Sequence, residues 1–207
     1  MLLSHSKKFI FVHIYKTGGT STRKVLEPYD YSYNVFHKVK SVFKKGHAVK
    51  PKLCHKHAKA LEIKEAVGPE VFNRYFKFAF VRNPWDWQVS LYHYALKDQT
   101  NKHHKIISGF KTFEEYISWR TTEEKVLQRE FIYDGQDNCM VDFIGKFENL
   151  SADFSEICDK IGIGSIDLPH LNKTKRKDFK DYYNDKTQRM VAEAYADDIK
   201  TFGYSFF

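Results

Sequence analysis

The segment Phe9–Thr22, FIFVHIYKTGGTST, passes abruptly from an apolar run to a lysine, two glycines and a cluster of hydroxyl side chains. Short, aromatic and β-branched, Phe9–Ile14 is expected to be a buried strand, and Thr20–Leu26 a helix that Pro28 ends. A strand, a glycine turn and a helix in that order make an anion site, because the first N–H groups of a helix lack intrahelical acceptors and lie at the positive end of its dipole. Gly18 and Gly19 let the backbone wrap close to a ligand, Thr17, Thr20, Ser21 and Thr22 bring hydroxyl donors, and Lys16 a point charge. The competing reading is a plain Gly-Gly turn with the lysine in solvent.

The rest of the chain alternates in the same way. Ala58–Val67 has the pattern of a surface helix closed by Gly68-Pro69, and Tyr75–Val81 (YFKFAFV) is the strongest strand. Asn83 as N-cap and Pro84 as first residue open a helix over Trp85–Leu96. Lys97–Gly109 is expected to be a polar loop, with His103 and His104 in solvent. Thr112 caps a helix over Phe113–Trp119, and a second is expected over Thr122–Glu130. Val141–Phe147 reads as a strand, and Leu150–Ile161 and Lys186–Phe202 as helices. Asp30–Lys52 and Leu168–Lys180 lack a period. Trp85, Trp87, Tyr92 and Tyr94 are expected to pack inside rather than to stack on a base.

Strands alternating with helices imply an α/β fold, a parallel central sheet flanked by helices, formed by residues 1–207 as a single domain. Ligands of such sheets bind at the carboxyl ends of the strands, where the loops after Ile14 and Val81 emerge.

Lys and Arg number 34 against 26 Asp and Glu, a formal net charge of +8, so the expected partner is anionic. Cys54, Cys139 and Cys158 are too few and too far apart for a disulfide framework. No segment approaches the roughly 18 uninterrupted apolar residues of a membrane span. The expected location is cytoplasmic, with any membrane association peripheral.

The lysine precedes the glycines, so the Walker pattern G-x-x-x-x-G-K-[ST] is absent and the pattern speaks against a conventional P-loop ATPase or GTPase. The chain instead resembles sulfotransferase family 2, the carbohydrate sulfotransferases. HIYKTGGTS at His13–Ser21 is similar to that family's H-I-P-K-T-G-G-T-S, with Tyr15 where the family commonly has proline. FAFVRNPWDWQVSLY at Phe78–Tyr92 is similar to its second signature, with Trp87 where a basic residue is more usual. IGKFENL at Ile144–Leu150, LPHLNKTKRKDFKDYY at Leu168–Tyr183 and the FGY ending at Tyr204 extend the resemblance over nearly the whole chain.

The resemblance implies a P-loop-like sulfotransferase fold. The co-substrate would be 3′-phosphoadenosine 5′-phosphosulfate (PAPS), with no metal, and the acceptor a hydroxyl of a saccharide or glycoconjugate. By position, Lys16, Thr17, Gly18, Gly19, Thr20 and Ser21 would hold the 5′-phosphosulfate, with Lys16 also catalytic at the bridging oxygen. Arg82 and Ser90 would hold the 3′-phosphate, and the positions agree, with Arg82 at a strand end and Ser90 two turns into the next helix.

Sulfuryl transfer also needs a base that titrates near neutral pH, which favours histidine. CHKHAKALEIKE places His55 and His57 just before a helix; His57 is the choice, His55 the reserve, and Glu62 could orient or replace it. A zinc site on Cys54, His55 and His57 lacks a matching second pair. The run Lys173, Lys175, Arg176, Lys177 either closes over a ligand or is a solvated loop. The readings from other classes are a basic nucleic-acid-binding module, for which no module pattern is present, and a nucleotide-binding protein without catalysis.

Overall fold

A computed structural model describes residues 1–31, 55–164, 166–169 and 176–207. Most of Asp30–Lys52, together with Cys54, Lys173 and Lys175, lies outside the described residues. The chain divides into two compact units, Met1–Val81 with Glu130–Lys173, and Arg82–Arg129 with Thr174–Phe207.

The first unit is built on a four-stranded sheet in the order β1 (Leu2–Ser4), β2 (Phe9–Val12), β3 (Phe76–Val81), β4 (Phe143–Lys146). β2, β3 and β4 are parallel, and β1 is antiparallel to β2. The parallel core was expected; the antiparallel edge strand was not. Phe9, Phe11, Phe78 and Phe80 alternate onto one face, while Ile10, Val12, Ala79 and Val81 point to the other, and all are fully buried. Burial on both faces is why β2 and β3 read as continuous apolar runs rather than alternating ones.

The phenylalanine face is covered by α1 (Gly19–Leu26) through Leu26, and by α7 (Leu150–Ile161) through Phe154, Ile157, Cys158 and Ile161. Parallel pairing of β2 with β3 brings their carboxyl ends to one edge of the sheet. α2 (Ala60–Val67) ends at Gly68, whose φ of 84° only glycine adopts freely, and Pro69 then starts a further short helix, α3 (Pro69–Arg74).

The second unit is helical. In α4 (Pro84–Lys97), Asn83 caps through its side chain, which accepts the Trp85 N–H at 3.1 Å. Two expectations are corrected here. Lys97–Gly109 is not all loop, since His104–Ile107 forms α5 with Ile107 buried. His103 and His104 are half-buried rather than free in solvent: the His103 ring packs on Trp119 and the His104 Nδ1–H donates to the Ala95 carbonyl at 2.8 Å. Thr112 accepts the Glu115 N–H at 3.2 Å and opens α6 (Phe113–Thr122).

No α-helix follows over Thr122–Glu130; beyond α6 the span holds only the start of a 3-10 turn, Arg129–Phe131. The N–H groups of Gln128 and Arg129 donate instead to the buried carboxylate of Asp198, at 2.8 and 2.9 Å, which leaves them unavailable to a helix ladder. Lys186–Phe202 is two helices, α8 (Asp185–Ala194) and α9 (Ala196–Phe202), broken at Tyr195, whose ring is fully buried against Trp87. Trp85 and Trp87 are buried as expected, but Tyr94 is 41% exposed.

Truncating Phe154, fully buried on the face of α7 that packs in the core, leaves a cavity. Phe154→Ala is expected to lower unfolding free energy by about 3–5 kcal/mol in urea titrations.

Candidate functional site

The site in the first unit begins where β2 ends. Lys16 has φ 63° and Gly18 φ 87°, so the left-handed region is entered twice in three residues before α1 starts at Gly19. For a lysine this conformation is strained, and such backbone is what anion-binding nests are built from. Thr17 is fully buried and its hydroxyl donates to the Ile14 carbonyl at 2.8 Å, so toward a ligand it offers its main chain rather than its hydroxyl proton. Lys16 and Ser21 are partly exposed and Thr20 is exposed.

Both glycines are required by what lies beside them. A side-chain carbon on Gly19 would come within 1.9 Å of Nε2 of His13, and one on Gly18 within 2.7 Å of Leu150. The IGKFENL segment therefore braces the loop through Leu150, with Phe147 also in contact distance.

His57 joins this loop from the far side of the sequence. Its Nδ1 lies 2.9 Å from the His13 carbonyl oxygen, and its ring centroid 4.6 Å from that of His13. A carbonyl only accepts, so Nδ1 carries the proton and the lone pair of neutral His57 is on Nε2. Tyr15 stands edge-on to the His57 ring at 5.7 Å and to Phe131 at 5.6 Å. The tyrosine that replaces the family's proline thus adds a wall beside His57.

Burial lowers the pKa of His57 below its ordinary 6.5, an effect that the His13 carbonyl opposes and the positive charge of Lys56 reinforces. His55, by contrast, is 62% exposed, and its Nε2 lies 3.4 Å from Glu62. Glu62 in turn accepts the Lys59 N–H at 2.7 Å, capping α2. Lys59 and Glu62 form the helix cap, His55 lies exposed beside it, and His57 is the histidine held against the glycine loop.

His13 was not singled out by the sequence. It is 2% exposed, stacked on Phe11 at 5.3 Å, and burial pushes its pKa down to about 2, with the neighbouring His57 as the second cause. It is therefore neutral and no acid-base partner at working pH. Among the described residues its Nδ1 is buried without a hydrogen-bond partner.

Arg82 and Ser90 belong to the second unit. Arg82 is 6% exposed; its Nε and Nη2 donate to Oδ2 of Asp86 at 2.8 and 2.7 Å. Its main chain exchanges two hydrogen bonds with the Gln128 amide, Arg82 N–H to Oε1 at 2.8 Å and Nε2–H to the Arg82 carbonyl at 2.7 Å. Ser90 is partly exposed on α4. Asp86, inside the second motif but given no role there, holds the guanidinium, while Gln128, outside the motifs, holds the Arg82 main chain. A zinc site including Cys54 falls partly outside the described residues, and among the described residues no helix is long and apolar enough to cross a membrane.

The unfolded chain binds a proton on His13 below pH 6.5 that the folded chain refuses until about pH 2, so stability is expected to fall with pH in that window. The contribution is about 1.4 kcal/mol per pH unit at most, and it is lost in His13→Phe. Urea midpoints between pH 7 and pH 5 measure it, the wild type declining more steeply than the variant.

Residues 1–205 match the model of the sulfotransferase family. The chain is 29% identical over 112 residues to an uncharacterized protein of Archaeoglobus fulgidus, a match covering 49% of this chain and 79% of that protein. Its fold is similar to that of the mouse sulfotransferase SULT7A1, solved in complex with PAP, with a TM-score of 0.54 at 13% identity over 96% of this chain and 87% of the mouse chain. A glycine loop after the first parallel strand, a sheet flanked by helices and a family match along almost the entire length agree: the chain belongs to the sulfotransferase family.

Proposed function

We propose that the protein moves the sulfuryl group of PAPS to a hydroxyl of a saccharide or glycoconjugate, releasing 3′-phosphoadenosine 5′-phosphate (PAP), and that residues 1–207 work as one cytoplasmic sulfotransferase domain. The observation that carries this reading is the hydrogen bond from His57 to the His13 carbonyl, which joins an oriented base to the glycine loop. Family membership and the PAP bound to the mouse neighbour support the choice of donor.

In this scheme the 5′-phosphosulfate lies on the loop of Lys16, Thr17, Gly18, Gly19, Thr20 and Ser21, and Arg82 with Ser90 takes the 3′-phosphate. His57 Nε2 removes the proton of the acceptor hydroxyl as its oxygen attacks sulfur. The bond from sulfur to the bridging oxygen breaks on the opposite side, and the Lys16 ammonium stabilises the charge left on the 5′-phosphate. Positioning and preorganised charge supply most of the rate, and the scheme needs no metal.

Transfer of labelled sulfate from PAPS to a panel of sugars, glycolipids and polysaccharides tests the reading. Wild-type protein is expected to label at least one saccharide acceptor; labelling of none overturns the proposal. Lys16→Ala is expected to lower kcat about 100-fold or more, and His57→Gln about 100- to 10,000-fold; unchanged turnover removes the residue concerned from the mechanism.

Because protonated His57 cannot act as a base and its pKa lies below 6.5, kcat/KM should rise with pH through an inflection on the acid side of 6.5 and be level at neutral pH. An inflection above pH 7 contradicts the assignment.

A further inference from the structure

In the second unit α6 and α8 meet at their first turns. Glu114 of α6 takes the Lys186 ammonium on Oε1 at 2.7 Å and the Asn184 amide on Oε2 at 3.2 Å. Beside this tie lies a cleft of about 670 Å³, whose ionic groups are Glu114, Glu115 and Lys186. Glu114 and Lys186 neutralise one another, so the charge left over is the carboxylate of Glu115, on a chain of formal net charge +8. The two carboxylates also occupy the first turn of α6, where its dipole is positive, and so remove the attraction that this helix end would have for an anion.

Glu115 and Ser118, one turn apart on α6, are exposed and line the same cleft. Oε2 of Glu115 accepts the Lys111 N–H at 2.8 Å, which fixes the carboxylate. Its Oε1 and the Ser118 hydroxyl have no partner among the described residues, so hydrogen-bonding groups remain for a ligand. Phe113, Tyr182 and Met190 supply the apolar part of the lining. Phe113 stands edge-on to Tyr182 at 5.5 Å and to Tyr183 at 5.2 Å, and the Tyr182 hydroxyl is tied to Nε2 of His93 at 2.8 Å. The aromatic wall is therefore set before a ligand arrives, which limits the order lost on binding.

We infer that this cleft is a subsite for an uncharged pyranose unit of an oligosaccharide. A pyranose is amphipathic in the matching way: one face carries C–H bonds that pack on an aromatic ring, and its edge carries neighbouring hydroxyls. Those hydroxyls donate to the Glu115 carboxylate in charge-assisted bonds, and the Ser118 hydroxyl both donates and accepts. A simple ammonium ion would meet only an exposed, screened carboxylate, worth little by itself, and would leave the aromatic wall unused. An anionic sugar would bring its charge against that same carboxylate. The role this gives the sugar, as a non-reacting unit of the acceptor, rests on the proposed sulfotransferase activity; the binding itself does not.

Calorimetric titration of the whole protein, without donor nucleotide, tests it with chitotetraose, cellotetraose and maltotetraose as neutral probes and deacetylated chitotetraose as a cationic one. The wild type is expected to bind at least one neutral probe saturably. Glu115→Gln keeps an acceptor for the Lys111 N–H and removes the charge, while Ser118→Phe fills the cleft from an exposed position that folding does not need. Both variants are expected to weaken the best neutral probe at least tenfold, and a smaller loss in either overturns the inference. So does a wild type that binds no neutral probe, or one that prefers the deacetylated form to every neutral probe, which marks a simple cation site. Sulfate transfer from PAPS is scored separately, so a protein that transfers sulfate but binds no neutral probe keeps the proposed activity and loses the subsite.

Discussion

A buried imidazole lies against the Cα of Gly19, where any side-chain carbon would come within 1.9 Å of its Nε2. Three parts of the first unit meet at that contact. His13 continues directly from β2, so the strand fixes its main chain; its ring sets how closely the glycine loop can turn; and its carbonyl oxygen takes the Nδ1 proton of His57. A single residue thereby connects the sheet, the glycine loop and His57, and orders a histidine that lies forty-four positions away. The arrangement holds only while His13 is neutral, which burial secures throughout the physiological range.

Buried carboxylates do the equivalent work in the second unit. Asp198, fully buried, takes the N–H groups of Gln128 and Arg129, and the Gln128 amide then closes two hydrogen bonds with the Arg82 main chain. Asp86 holds the Arg82 side chain and Arg176 beside it. Isolated buried charges are costly, so these carboxylates are tolerable only because almost every acceptor position is used. The outcome is a pair of guanidiniums held in place by one carboxylate.

What the sequence made legible was local. β2, β3, α4 and α7 carry their own signals: continuous apolar runs for strands buried on both faces, an Asn-Pro cap, and a 3.6-residue apolar stripe ended by a left-handed glycine at Gly162. β1 has only three residues and exists through its pairing with β2. The helix expected over Thr122–Glu130 fails because its backbone is claimed by Asp198, some seventy residues on, and the break at Tyr195 follows from burying that ring rather than from any glycine or proline. In the site, the Lys16–Ser21 loop, His57, Arg82 and Ser90 stood out as motif positions. His13, Tyr15 and Asp86 lie inside the motifs without a role assigned from them, and Gln128 lies outside, because what each does consists of side-chain contacts, most of them between segments far apart in the chain.

The central claim is that His13 and Gly19 hold a base of defined tautomer beside the loop that receives the donor. Histidine-selective nitrogen NMR of the free protein and of the protein saturated with PAP measures both halves of it. The account predicts a neutral His57 with its proton on Nδ1 and an unprotonated Nε2 whose signal moves when PAP binds. A His57 protonated on Nε2, or one whose signals are indifferent to saturating PAP, would contradict it.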